Sequence, residues 1–270
     1  MNRQKLYKGH LIIYAILLIG IIVSMNYLRQ YSDKSSSLLM YKKAGGDTIN
    51  VAIEISPISY SLSTDTIGGF YYDLLRLISS KYNVKFKFHK FVPLNIAIDG
   101  LNNSKFDIIV ADIASSDYKE KYLLTEPIYR DNQILVQRKD VSKHELSGLS
   151  SDSIWIVSNS PYVSQIRNMS KEVGYDTIYI IQDEKYSSGQ LVELTAIGDI
   201  KQTIVNGDIA LSMLKEYPQI ELNTKMSFNQ CKSWMLNKGN IGLCNKFNFW
   251  IKEIKSTSEY DKLYQRYFNN

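Results

Sequence analysis

The chain has 270 residues, 44% hydrophobic and 22% charged, with 14 Gly and 5 Pro, a globular balance that excludes collagen-like, coiled-coil and low-complexity classes. That length holds one large or two modest domains, and two cysteines in a chain this long exclude a disulfide-stapled miniprotein. The net charge of +5 would suggest a nucleic-acid partner if the excess sat on a folded surface, but Arg3, Lys5, Lys8, Arg29, Lys34, Lys42 and Lys43 face only Asp33 in residues 1–43. The rest of the chain is close to neutral, and no nucleic-acid partner is expected.

From Leu11 to Leu28 no residue is charged, and the run from Leu11 to Val23 is apolar on every face, which a helix of a soluble core is not. Arg3, Lys5 and Lys8 precede it and place that end in the cytoplasm. The reading is a basic tail over 1–10, a transmembrane signal anchor over 11–28 and a polar tether over 29–46, with the ectodomain in the periplasm at the inner membrane. A cleaved signal peptide is the rival, though Val23, Ser24, Met25 and Asn26 make a weak cleavage site.

Ile49 to Ile55 is a β-branched apolar run, and Phe70, Leu74, Leu77 and Ile78 follow at helix spacing. Val84, Phe86 and Phe88 alternate with polar residues as a half-exposed strand does, Leu94 to Leu101 reads as a helix, and Phe106 to Ala111 is continuous enough for a central parallel strand. After a strand at Gln133 to Gln137 the pattern restarts. It runs through a strand at Ile154 to Val157, a helix from about Pro161, a strand at Thr177 to Ile181, a helix at Gln190 to Ile197 stopped by Gly198, a strand at Thr203 to Val205 and a helix at Ile209 to Tyr217. Phe247, Trp250, Ile251 and Ile254 form one helical stripe. Ser256 and Glu259 have capping-box spacing before a last helix carrying Tyr260, Leu263, Tyr264 and Tyr267.

The fold class is therefore α/β, two doubly wound lobes preceded by one transmembrane helix, and such lobes bind ligands between the carboxyl ends of their strands. Cys231 and Cys244 are 13 residues apart with no metal-ligand pattern, so a disulfide and two thiols both remain open; no metal or cofactor is expected. Enzymatic readings lack their parts. His10, His89 and His144 are the only histidines, and none completes a nucleophilic triad. Glu54, Asp73, Asp112 and Glu126 stand as isolated acids rather than a glycosidase pair. Gly68-Gly69 is a turn before a helix rather than a phosphate loop.

Gly69-Phe-Tyr-Tyr-Asp-Leu-Leu75, Phe106 to Ala111, Thr125-Glu-Pro-Ile-Tyr129, Ile134 to Lys139, Ile197-Gly-Asp-Ile200 and Tyr264-Gln-Arg-Tyr-Phe268 together resemble bacterial extracellular solute-binding protein family 3, in order, over residues 48–268. Thr125 to Tyr129, Leu135 to Lys139 and Tyr217 to Leu222 look most like the solute-binding domain fused to membrane-bound lytic transglycosylase F, and no stretch resembles its catalytic domain. The resemblance implies a type II periplasmic-binding fold with two chain crossings, near Gln137 to Asp140 and Ser227 to Ser233. Lobe 1 is then 47–138 with 230–270, and lobe 2 is 139–229, the two joined by a two-strand hinge.

It also implies a ligand site, and the departures from the family's pattern bear on its ligand. The arginine that grips an amino acid's carboxylate is replaced by Tyr118, with Lys119 one residue on as a point-charge alternative. The acid that holds the ammonium aligns with Asn206, with Asp208 two residues beyond; the lidding aromatic aligns with Ile58, near Tyr60. Asp112, Ser115, Ser116, Asn159 and Ser160 fall on strand ends and loops where the family supplies polar contacts. The expectation is a non-catalytic module closing on a small-molecule ligand in the interlobe cleft. Its partner is either a murein enzyme, in sensing or regulation, or an ABC permease, in transport.

Overall fold

The structure, a computed structural model, describes residues 17–26 and 48–268 except 64–65, 141–152, 159, 161, 173–178 and 227–228. The chain divides into two compact units, Met1–Gly45 and Gly46–Asn270. In the first, residues 17–26 form helix α1, its side chains exposed. No helix among the described residues is long and apolar enough to cross a membrane. The expected basic tail, the tether and the remainder of the 11–28 span lie outside the described residues.

The second unit builds one topology twice. Strand β1 (Thr48–Glu54) leads through a hairpin of β2 (Ser61–Ser63) and β3 (Thr66–Gly68) into α2 (Phe70–Tyr82), followed by β4 (Lys85–Phe91), α3 (Leu94–Asn102) and β5 (Ile108–Ala114). Strands β4, β1 and β5 are parallel with β1 in the middle. Every residue of β5 is buried, so its apolar run is covered on both faces. β4 is the edge strand, and its alternating exposure follows its alternating sequence. After α4 (Ser115–Tyr118), β6 (Leu123–Leu124) and β7 (Tyr129–Asp131), the sheet is completed by a late strand, β13 (Gln230–Leu236), antiparallel to β5, β6 and β7.

The second sheet has the order β10, β9, β11, β8, β12. Its parallel part is β10 (Ile180–Asp183), β9 (Ile154–Val157) and β11 (Gln202–Asn206), with β8 (Gln133–Arg138) antiparallel to β11 and β12 (Ile220–Lys225) antiparallel to β8. Helices α5 (Tyr162–Glu172), α6 (Ser188–Ile197) and α7 (Gly207–Met213) complete this lobe. Leu135 and Ile204 pack on the α5 face with Ile154, Ile156 and Ile166, while their neighbours Val136 and Val205 pack on the α6 and α7 face with Val192, Ala196 and Ala210. Ser187 closes a capping box with Gln190, and Gly198 stops α6 at φ 91°, where a side chain is disfavoured.

The strand from Gln133, expected in the first lobe, pairs in the second sheet, so the first crossing lies at Asp131 to Gln133 rather than near Gln137 to Asp140. Hydrophobic pattern marks a strand but not its partner, and the antiparallel pairing with β11 decides the lobe. The return crossing leads from β12 to β13, beside the first: Met226 N–H donates to the Gln133 carbonyl, and Gln230 pairs with Asp131.

The C-terminal helices α8 (Ile241–Lys255) and α9 (Ser258–Phe268) pack on the first lobe. Phe247, Trp250, Ile251 and Ile254 are buried as their stripe requires. Phe70 is the hub of this face. It is fully buried, with the rings of Tyr71, Tyr129, Tyr260, Tyr264, Tyr267 and Phe268 around it, Phe268 at 4.8 Å between centroids. The α9 start is capped by Thr257, whose Oγ1 accepts from Tyr260 N–H at 3.4 Å, while Ser256 turns its hydroxyl back to the Glu253 carbonyl. Cys231 and Cys244 are not joined by a disulfide.

Candidate functional site

Doubly wound topology points the carboxyl ends of the parallel strands toward the opposite lobe, and that is where the polar residues collect. Glu54 ends β1, Asp112 and Ile113 lie near the end of β5, Val157 ends β9 with Ser158 directly after it, and Asn206 ends β11. With Val92, Leu94, Tyr118, Ser160, Tyr162 and Ser188 they line a cavity of about 60 Å³.

Of the lining residues, Asp112 accepts through Oδ1 from Tyr129 OH at 2.8 Å and from Tyr71 OH at 3.4 Å. Asp112 Oδ2 has no hydrogen-bond partner among the described residues; its nearest countercharge is the Lys232 ammonium, 3.9 Å away. Lys232 lies on β13 and is fully buried. Its Nζ donates to Asn206 Oδ1 at 2.7 Å. The same oxygen accepts from Tyr162 OH at 2.7 Å and from Gln133 Nε2 at 3.4 Å, and the Asn206 amide donates in turn to the Asp112 carbonyl at 3.3 Å. Asn206 therefore uses its acceptor on Lys232 of the first sheet, Gln133 of the crossing and Tyr162 of its own lobe, and its donor on the first-lobe Asp112 carbonyl.

Asn206 holds this role because another residue caps its helix. It occupies the N-cap position of α7 without a side-chain cap bond, and the carboxylate of Asp131, on the first crossing, accepts from Asp208 N–H at 3.1 Å and Asn132 N–H at 2.7 Å instead.

The electrostatics are those of acids crowded around one cation. Burial pushes Glu54 up to about 7, and Asp112 adds to the rise. Asp131 and Asp208 are both raised, by burial first and then by repulsion from another carboxylate, Asp112 for Asp131 and Asp131 for Asp208. Burial pulls Lys232 down, but Asp112, Tyr162 and Asp131 outweigh it and leave the ammonium above its ordinary value. Tyr162 is pushed up to about 12 by burial, so it stays a hydroxyl donor. Among the described residues no group of three or more His, Cys, Asp or Glu is placed to hold a metal ion.

Of the residues expected from sequence, Asp112, Tyr118, Ser160 and Asn206 line the cavity. Ser115 and Ser116 begin α4, directly after β5. Asn159 lies outside the described residues. Ile58 and Tyr60 are elsewhere: Ile58 is fully buried, its carbonyl accepting from Tyr71 N–H at the start of α2, and Tyr60 stands edge-on to Tyr72 under Lys90. Neither is among the residues that line the cavity, because the loop after β1 turns inward to pack on α2, and Glu54, at the strand end, faces the cleft in their stead. Lys232 and Tyr162 are the functional candidates that sequence reasoning missed, and Glu54 was named there only as an isolated acid.

Two lobes whose strand ends enclose a cavity with polar groups set among apolar ones, joined by two adjacent crossings, define a hinged small-molecule-binding protein of the type II periplasmic-binding fold. Residues 48–270 match bacterial extracellular solute-binding proteins, family 3, and the chain belongs to that family. Among curated proteins it is similar to membrane-bound lytic murein transglycosylase F of Desulfosudis oleivorans, 23% identical over 257 residues covering 94% of this chain and 55% of that protein, and to that of Shewanella sediminis, 23% identical over 197 residues covering 70% and 39%. The chain thus spans about half the length, or less, of these relatives. Among solved structures it is similar to a mutant of ArgBP from T. maritima, with TM-score 0.72, 16% identity and coverage of 87% of this chain and 100% of that one. It is also similar to a putative L-cystine ABC transporter protein from Listeria monocytogenes, with TM-score 0.71, 18% identity and coverage of 82% and 95%. At these identities the structural likeness shows the fold.

Proposed function

We propose that the chain is a membrane-anchored, extracytoplasmic, non-catalytic solute-binding protein that closes its lobes on a small polar ligand, a cell-wall fragment or peptide rather than a free amino acid, for sensing or regulation. The observation that carries this is the cavity between the two sets of strand ends. Glu54, Asp112, Ser160, Tyr162 and Asn206 give it polar groups among apolar ones, and among the described residues no arginine lines it to fork onto a carboxylate. Its 60 Å³ is well below the roughly 300–1,000 Å³ of small-molecule sites, so a solute enters only as the lobes part about the crossing at Asp131 to Gln133 and its neighbour beside Met226 and Gln230. The membrane anchor rests on the uncharged run of Leu11 to Leu28. The regulatory role rests on the likeness to the transglycosylases, which carry more chain than this one covers.

Transport is the second reading, favoured by the similarity to the substrate binding protein of an amino acid ABC transporter. Mass spectrometry of small molecules released from the purified full chain tests the ligand class: a sugar-peptide or neutral solute is expected, and a stoichiometric free amino acid overturns it. Loss of labelled-solute uptake on deleting the gene would establish transport in place of regulation.

A further inference from the structure

The Lys232 ammonium is a cation held by groups that do not belong to its own strand. Asn206 Oδ1 lies 2.7 Å away at the end of β11 in the second lobe, and Asp112 Oδ2 lies 3.9 Å away on β5 in the first. Tyr162 OH, from α5, donates to the same Asn206 oxygen. Asp112, Asn206 and Tyr162 also line the cavity. A carboxylate and an amide oxygen converging from two lobes are what a free ammonium group of a small solute would need, and a buried lysine is tolerated only where such partners exist. The Lys232 charge also acts on the carboxyls of Glu54, Asp131 and Asp208, on β1, the first crossing and α7, and favours their ionised forms against burial.

We propose that the Lys232 side chain is a tethered occupant of an ammonium subsite built by Asp112, Asn206 and Tyr162, and that it restricts the cleft to solutes without a free ammonium group. This rests on the solute-binding reading above and adds the residue that sets its specificity. A solute bearing its own ammonium would have to share two acceptors with Lys232 or displace it, placing two like charges within a few ångströms. A neutral hydroxyl- or amide-bearing solute instead donates to Asp112 Oδ2, the buried oxygen that has no hydrogen bond among the described residues.

Truncation at Lys232→Ala removes three methylenes and the ammonium, the volume and charge of n-propylammonium. In the full chain, this variant is expected to melt lower than wild type and to recover most of the loss in millimolar n-propylammonium but not in 1-propanol. It is also expected to gain measurable binding of glycine and L-alanine, which a lysine with a structural role alone would not confer. Wild type is expected to show no rise in melting temperature with n-propylammonium or any of the twenty free amino acids. A rise in wild type overturns the proposal whether or not the variant folds, as does a folded variant that n-propylammonium fails to rescue. Rescue by n-propylammonium in a protein whose wild type captures no solute would leave the subsite standing and sink the solute-binding reading; a wild type that binds a neutral solute beside a variant without rescue would do the reverse.

Discussion

Asn206 donates its side-chain amide to the main-chain carbonyl of Asp112, 3.3 Å away, and so ties the last residue of a second-lobe strand to a first-lobe strand near its carboxyl end. Its oxygen at the same time carries Lys232, Tyr162 and Gln133. One small side chain is thus the meeting point of both lobes and the crossing strands. Asn206→Ala should cost about 1.5–3 kcal/mol, since it strips a buried ammonium of its hydrogen bond. Urea unfolding of the purified chain measures this, and a loss under about 0.5 kcal/mol, the level of an exposed substitution, would show that the contact is not holding the lobes.

Glu54 sets a pH dependence. Its carboxyl is raised to about 7 from 4.5, by burial and then by Asp112, so between these values the folded chain keeps a proton that the unfolded chain has released. The stability tied to that proton is fully present below the unfolded value near 4.5 and is lost as pH rises through 7. The slope is at most about 1.4 kcal/mol per pH unit. Asp131 and Asp208, also raised, act in the same direction. Unfolding midpoints across this range should fall with pH in wild type and fall less steeply in Glu54→Gln; equal slopes would remove Glu54 from the account.

Gly69 opens α2 at φ 120°, and a Cβ there would stand 2.4 Å from the Ser59 carbonyl oxygen. Its N–H donates to Tyr267 OH at 2.9 Å, and that hydroxyl donates on to Asp73 Oδ2 at 2.8 Å, which pins the C-terminal helix to the start of α2. Gly69→Ala should cost about 1–3 kcal/mol through backbone strain. Tyr267→Phe should cost about 0.5–1.5 kcal/mol through the two hydrogen bonds. Thermal unfolding of both variants checks the order, and a Gly69→Ala change smaller than that of Tyr267→Phe would contradict it.

The sequence made the two-lobed α/β architecture readable because its parallel strands are short continuous apolar runs and its helices carry one stripe each; Ile108 to Ala114 and the Phe247 to Ile254 stripe are buried as their patterns require. Pairing was less readable. Gln133 to Arg138 looks the same whichever sheet receives it, and β13 hides because Lys232 and Ser233 interrupt its apolar run while being buried themselves. The site was half legible. Asp112, Tyr118, Ser160 and Asn206 sit at strand ends or loop starts, where α/β topology puts ligands. Lys232 was not visible, since a lysine reads as solvent-exposed unless its partners are known, and Asn206 and Asp112 are 26 and 120 positions away in the chain. The resemblance sets Ile58 at a lid position, but the local turn buries it against α2 and leaves Glu54 to line the cleft.

A carboxyl raised to about 7 in a cleft invites comparison with a general acid, so whether this chain cleaves the glycan it is proposed to bind is a sharp question. The surroundings of Glu54 argue against it. Its Oε2 accepts from Ser59 Oγ and from Asp112 N–H, both at 3.4 Å, which ties the carboxyl to its own lobe. Asp112, the carboxyl whose charge acts on Glu54, is committed through Oδ1 to Tyr129 and Tyr71 and faces Lys232 through Oδ2, so it is engaged by its neighbours and not placed as a nucleophile or a base for water. Incubation of the purified chain with peptidoglycan should therefore release no anhydro-muropeptides above a blank, in wild type and Glu54→Gln alike. Release by wild type that disappears in Glu54→Gln would make this cleft an active site.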